Sequence, residues 1–294
     1  MSSVYSIVGL GEILWDLLPA GPQLGGAPAN FACHARGLGA RAAIVSCVGT
    51  DEFGIESRRL LGERGLDISC VSTTDEAPTG TVKVELDAGG VPTFEIIQNV
   101  AWDRMRWSEA LGKLAGTANA VCFGSLGQRS PLSRDTIQQF IRATRPDAWR
   151  IFDINIRPPF CDAEMTCASL ELANALKLNE TEVPLIADWC GLSGTPEAIL
   201  GRLAERYALR AIALTLGPDG AWLWRDGIAE RVPGVPTTVV DTVGAGDSFT
   251  AAWAIGLLRN EPLTTMGQRA CRVAAYVCSQ SGGTPPLPRE LVSL

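Results

Sequence analysis

Short apolar runs recur along the chain with longer amphipathic stretches between them, and this alternation constrains the fold more than any other feature. The runs "VYSIVGL" (4–10), "AAIVSCV" (42–48), "AVCFGSL" (120–126), "RIFDINI" (150–156), "ALKLN" (175–179) and "AIALTLG" (211–217) are short and almost uninterrupted, as strands buried on both faces are. "TVKVEL" (81–86), "AWLWRDG" (221–227) and "TTVVDTV" (237–243) are further strand candidates. Apolar residues at helical spacing predict helices at about 28–38, 54–64, 108–116, 133–145, 164–173, 197–207, 247–259 and 267–280. Buried strands joined by helices imply an α/β fold with a mostly parallel sheet covered on both faces. Ligands in such sheets bind beyond the carboxyl ends of the strands.

Two stretches break the alternation. Residues 12–26 are loop-rich, with Pro19, Gly21, Pro22, Gly25 and Gly26, and residues 73–105 hold strand patterns with no helix between them. A small β-sheet lid built from both insertions is the economical reading, on a single domain spanning residues 1–294.

Composition narrows the function. A net charge of −7 without any Lys/Arg block makes nucleic acid and anionic membranes poor partners. No stretch reaches the ~18 apolar residues of a membrane helix, and the first residues lack a signal-peptide pattern, so a cytoplasmic location is expected. The nine cysteines never form C-x-x-C, which reads as free thiols rather than disulfides or a zinc site. His34 is the only histidine and lies in an Ala-rich helical pattern. Ser-His-Asp and Cys-His chemistry would both have to use it, and a structural role is expected instead.

The chemistry concentrates in "DTVGAGDSFT" (241–250). Gly244, Ala245 and Gly246 form a turn into a helix, where small residues leave backbone N–H groups bare for an anion and the helix dipole favours negative charge. Asp247 stands in the first helical turn, either as an N-cap or as a general base beside the anion. A second constellation, "GGAPANFACHARGLGARAAIVSCVGTDEFG" (25–54), opens with paired glycines and Asn30, and Asp16 precedes it in "GEILWDLLP". A carboxylate and an amide beside open backbone suit a polyol.

Together these stretches resemble the two signatures of the PfkB family of carbohydrate kinases, and bacterial fructokinases in particular. "NETE" (179–182) and "TLGPDGAW" (215–222) resemble the family's intermediate motifs, in family order. The resemblance implies a ribokinase-like three-layer α/β/α sandwich with a small β-sheet lid, and a kinase using ATP and Mg²⁺. It implies that Asp247 takes the proton from a primary hydroxyl, while the backbone at Gly244, Ala245 and Gly246 holds the γ-phosphate. Asn179, Thr215, Gly217 and Gly220 would serve ATP, and Glu182 would hold Mg²⁺ through water. Asp16, Gly26 and Asn30 would bind the sugar. Asp241 and Val243 would belong to a monovalent-cation site for K⁺, completed near "SGGTPPLP" (281–288).

"FDINIRPPF" (152–160) has an Asp-x-Asn-x-Arg-Pro pattern that resembles bacterial fructokinases, "GEILWD" and "NVAWD" (99–103) lean the same way, and the resemblance implies fructose as the acceptor. Arg157 would contact a phosphate or close over the substrate, or else pair with Asp153. Trp102 and Phe94 would cover the sugar from the lid, or else pack within it. The open alternatives are a kinase of 2-keto-3-deoxygluconate, ribose or a nucleoside, and a catalytically silent sugar-binding regulator. A Rossmann dehydrogenase is excluded because Leu14 holds the third glycine position of G-x-G-x-x-G, and no G-x-x-x-x-G-K-[ST] occurs. An apolar lid face would also serve to pair two copies into a homodimer.

Overall fold

The computed structural model describes residues 5–86 and 92–292. Its strands are β1 (Ser6–Leu10), β2 (Leu14–Leu18), β3 (Gly21–Gly25), β4 (Arg41–Gly49), β5 (Val71–Thr74), β6 (Gly80–Leu86), β7 (Pro92–Ile96), β8 (Ala120–Phe123), β9 (Trp149–Asp153), β10 (Ala175–Asn179), β11 (Ala211–Thr215), β12 (Ala221–Arg225) and β13 (Ile228–Val232). Its helices are α1 (Ala27–Gly37), α2 (Glu52–Glu63), α3 (Glu109–Ala115), α4 (Pro131–Arg142), α5 (Ala163–Leu172), α6 (Val183–Trp189), α7 (Pro196–Tyr207), α8 (Ala245–Leu258), α9 (Leu263–Cys278) and α10 (Arg289–Val292).

Nine strands form one sheet in the order β13-β12-β11-β10-β9-β8-β1-β4-β5, parallel from β11 through β5 and antiparallel at β12 and β13. Both faces are covered. Phe31 of α1, Leu61 of α2, Trp253 of α8 and Met266 of α9 fill one side, each fully buried or nearly so. Leu111, Phe140, Leu170, Ile186 and Leu203, from α3 to α7, fill the other. A side chain of this size contributes about 1.5–3 kcal/mol when fully buried, so the two layers supply the main stabilisation. This is the ribokinase-like layering expected.

Four more strands form a small sheet in the order β3-β2-β6-β7. They come from within the two stretches that break the alternation. β2 pairs parallel to β6, so the small sheet is mixed. Its inner face rests on Leu14, Val82, Val100, Trp102 and Leu126. Asp51, the N-cap of α2, anchors the start of β6: its carboxylate accepts from the Thr79 amide at 2.7 Å and the Thr79 hydroxyl at 2.6 Å.

Several local expectations need correction. Residues 237–243 form no strand: Val239 and Val240 are 60% and 62% exposed, and the Val240 and Asp241 amides donate to the Cys278 carbonyl. β-Branched composition signals a pleated surface to pack against, and here none is offered. β5, β13 and α6 fall in segments without strong periodicity, while β2 and β3 form in the loop-rich stretch assigned to the lid. The nine cysteines are free thiols. Among the described residues, no helix is long and apolar enough to cross a membrane.

Candidate active site

The carboxyl ends of β1, β8, β9, β10 and β11 converge on the start of α8. There Gly244 is the N-cap, with φ at +75°, and a Cβ on it would lie 2.1 Å from the Gly283 carbonyl oxygen. Only glycine accepts both that dihedral and that approach. Among the described residues the Asp247 carboxylate accepts from Asn30 and from no amide of α8, so it does not cap the helix. The Ala245 amide donates to Thr242 at 3.3 Å, while those of Gly246 and Asp247 make no hydrogen bond among the described residues. Two free amides at a helix N-terminus form an anion-binding turn.

Asp247 is held from the opposite side of the sequence. Asn30, buried in α1, donates from Nδ2 to Asp247 Oδ2 at 2.9 Å. Burial raises the Asp247 carboxyl to about 6, and the nearby Asp153 adds to the rise; Asn30, Lys177 and Arg157 oppose it. A carboxylate poised near 6 is ionised at neutral pH yet basic enough to share a hydroxyl proton in a transition state.

A buried network lies behind the turn. Lys177 Nζ pairs with Asp153 Oδ1 at 3.1 Å, and the Thr250 hydroxyl lies 2.9 Å from Asp153 Oδ2 and 2.9 Å from the Gly246 carbonyl. Burial opposes the Lys177 charge, but Asp153 and Glu182 outweigh it and its pKa stands raised. Lys177 therefore stays cationic. A Cβ at Gly246 would stand 3.1 Å from its Nζ, which places the cation directly under the anion turn.

On the other side of the turn opens a cleft of about 820 Å³. Asn179, Thr215, Gly217, Gly220, Ala245 and Gly246 all line it. Gly217 and Gly220 have φ of +53° and +94°, and a Cβ on Gly220 would meet the Val232 carbonyl at 2.1 Å. Glu182 sits deeper, 3% exposed, with Oε1 accepting from the Ile156 amide and Oε2 from the Asn179 amide, each at 2.8 Å. It thus ties the loop after β9 to the end of β10, a fixing role the sequence did not suggest.

The sugar-site expectations divide. Asp16 lies on β2, where a Cβ on Gly25 would come within 2.8 Å of its Oδ2, and Gly26 precedes α1; burial raises the Asp16 carboxyl to about 6, opposed by Arg157. Arg157 is exposed, its guanidinium bonds only to the Ile156 carbonyl at 3.1 Å among the described residues, and it reaches Glu12, Asp16 and Asp247 electrostatically. The Asp153 pairing considered for it is taken by Lys177. Trp102 is fully buried, and a Cβ at Gly80 would overlap its Cζ3 at 1.7 Å, so it packs under the small sheet instead of covering a sugar. Arg129 lies over its ring at 4.5 Å and pairs with Asp103 at 2.8 Å. Phe94 lies on β7, and its side chain is outside the described residues.

Asp241 fixes the segment before the turn, accepting from the Val243 amide and the Gly282 amide at 3.0 Å each. The next carbonyl, Gly283, lies 2.9 Å from His34 Nε2. Burial lowers the His34 pKa to about 4, so the ring is neutral and donates Nε2–H to that carbonyl. The histidine is structural. Sequence reasoning missed Glu12, Lys177 and Thr250; Glu12 lies in the quoted "GEILWD", directly after β1, where a signal was available.

The chain matches the description "pfkB family carbohydrate kinase" over residues 22–290. It is 30% identical to a fructokinase of Salmonella typhimurium, covering 96% of this chain and 96% of the relative. A fructokinase of Klebsiella pneumoniae is 32% identical over 84% of this chain and 83% of its own. Among solved structures, a sugar kinase of Pyrococcus horikoshii in complex with ATP superposes with a TM-score of 0.83 at 27% identity, covering 98% of this chain and 97% of that one. An anion turn backed by a buried cation, with a poised carboxylate on one side and a long cleft on the other, is what such likeness would require, and the chain belongs to the pfkB family of carbohydrate kinases.

Proposed function

We propose that the protein transfers the γ-phosphate of ATP to a primary hydroxyl of a free hexose, with fructose the first acceptor to test. The observation that carries this reading is Asp247 itself: held by Asn30, uninvolved in capping, and adjacent to two free helix amides.

ATP would lie along the cleft, with its terminal phosphate on the amides of Gly246 and Asp247 and the positive potential of Lys177 beneath. Asp247 takes the hydroxyl proton as the sugar oxygen bonds to the γ-phosphorus. The bond from that phosphorus to the β–γ bridging oxygen breaks, and ADP leaves. Alignment and charge stabilisation supply the rate, with no covalent enzyme intermediate.

Among the described residues no three acidic, histidine or cysteine side chains cluster as a metal cage. That fits Mg²⁺ carried by the phosphates and touched through water by Asn179 and Glu182, since this ion keeps several waters and takes few protein ligands. When bound it would neutralise charge on the β- and γ-phosphates. Asp241 and the Val243 carbonyl offer hard oxygen donors of the kind K⁺ takes, so K⁺ would stiffen the anion turn. The open edges of the small sheet, β3 and β7, would let two copies pair, which sedimentation would reveal.

The direct test is ADP release from Mg·ATP with fructose, glucose, ribose, 2-keto-3-deoxygluconate, nucleosides and fructose 6-phosphate, with K⁺ or tetramethylammonium as the cation. Fructose should give the highest kcat/KM, and more so in K⁺. A higher value for another acceptor keeps the mechanism and replaces the substrate. Sugar binding without turnover would instead make the protein a regulator.

A further inference from the structure

Glu12 is a buried carboxyl that the mechanism above does not use. It follows β1, is 3% exposed, and lines the same small cavity as Asp247, Asp153 and Asn155. The backbone amides of Glu12 itself and of Ala27, at the start of α1, favour its charged form, yet Oε2 has no hydrogen-bond partner among the described residues. A buried, unpaired carboxyl oxygen is unfavourable unless something else occupies its lone pairs. Nearby glycines make room for it: a Cβ at Gly127 would come within 3.2 Å of Oε2, and one at Gly26 within 2.5 Å of the Glu12 carbonyl oxygen.

The charges around this cavity are unbalanced. Three carboxyls, Glu12, Asp153 and Asp247, line it, and the cations that act on them are Arg157 and Lys177, the latter already paired with Asp153. A carboxylate or phosphate on the acceptor would meet that acidic wall in a desolvated space, where like charges repel far more strongly than in water.

We propose that Glu12 is an acceptor-binding residue whose free oxygen takes a sugar hydroxyl, and that the acidic wall it belongs to restricts the acceptor to a neutral polyol. This rests on the sugar-kinase reading. It separates fructose from 2-keto-3-deoxygluconate, which carries a carboxylate, and from sugar phosphates. Burial raises the Glu12 carboxyl to about 7, against the pull of its own amide, so at pH 8.5 it is ionised and its charge is felt.

The test is steady-state kinetics at pH 8.5 on wild type, Glu12→Ala and Glu12→Gln, varying fructose and ATP separately. Glu12→Ala should raise KM for fructose about tenfold or more, the loss of one hydrogen bond to a charged group, and leave KM for ATP within about twofold. Glu12→Gln keeps the shape and removes the charge. It should shift selectivity toward 2-keto-3-deoxygluconate over fructose by about tenfold, read as kcat/KM or, for a non-substrate, as competitive inhibition. An unchanged fructose KM in both variants overturns the contact, and an unchanged selectivity overturns the acidic wall, with the kinase reading intact in either case. A wild type without activity on any acceptor fails the kinase reading instead. Calorimetric titration of fructose then decides Glu12: weakened binding to Glu12→Gln upholds the contact, and equal or absent binding overturns it. Melting temperature and ATP binding identify a variant that has merely unfolded, in which case the remaining variant carries the result.

Discussion

Replacing Asn30 by alanine removes the side-chain donor that reaches Asp247 at 2.9 Å and leaves the carboxylate in place. That hydrogen bond favours the ionised form, opposing the burial that raises the group to about 6. A hydrogen bond to a charged group is worth about 1.5–3 kcal/mol, and 1.36 kcal/mol corresponds to one pKa unit. Water reaching the half-buried Asp247 would replace part of the loss, so a shift of about one unit upward is expected. Losing the donor disfavours ionisation, so the acid limb of kcat/KM moves to higher pH, from about 6 toward ~7. At pH 6 the ionised fraction would fall from about one half to about one tenth, while the alkaline plateau shows how much Asn30 contributes to sugar binding alone. The assay is ADP release between pH 5 and 9. A uniformly lowered profile with its limb unmoved would refute the coupling of Asn30 to the base and leave Asn30 a sugar ligand only.

Three further predictions follow from packing and burial. Gly80→Ala places a Cβ 1.7 Å from a ring atom of fully buried Trp102, and overpacking of this kind costs about 1–3 kcal/mol, so thermal melting should drop by several degrees. Lys177→Met strands the Asp153 carboxylate in the interior, with a destabilisation of about 3–5 kcal/mol by denaturant titration that Asp153→Asn in the same chain should largely relieve. Glu12 holds a folded pKa near 7 against an ordinary 4.5, so the stability it lends is complete below about 4.5 and is lost as pH rises through 7. Glu12→Gln should therefore melt higher than wild type at pH 8, by up to ~3 kcal/mol, and gain nothing at pH 4; an equal shift at both would show that charge burial is not the cause.

The layered fold was legible because buried parallel strands read as continuous apolar runs, as in "ALKLN" and "AIALTLG", and these became β10 and β11. "TTVVDTV" misled for the same reason: its composition suits a strand, but whether a neighbour exists for it is a tertiary fact. At the site, the Gly-Ala-Gly turn was readable because a helix entered through glycines has few other uses. The bond between Asn30 and Asp247 was not, since 217 residues separate them. Lys177 was hidden by its setting: a lone lysine within an apolar strand gives no sign of which carboxylate it meets. Trp102 shows the limit of reasoning from residue type, because an aromatic in a lid serves packing or ligand alike until its neighbours are known.

The most direct test compares ADP release from Mg·ATP and fructose by wild type and Asp247→Asn, with ATP binding followed calorimetrically in both. Loss of general base catalysis should lower kcat by about 10²–10⁴ while ATP affinity and melting stay close to wild type. Near wild-type turnover in Asp247→Asn would contradict the account, because the one carboxylate aligned with the anion turn would then not be the base.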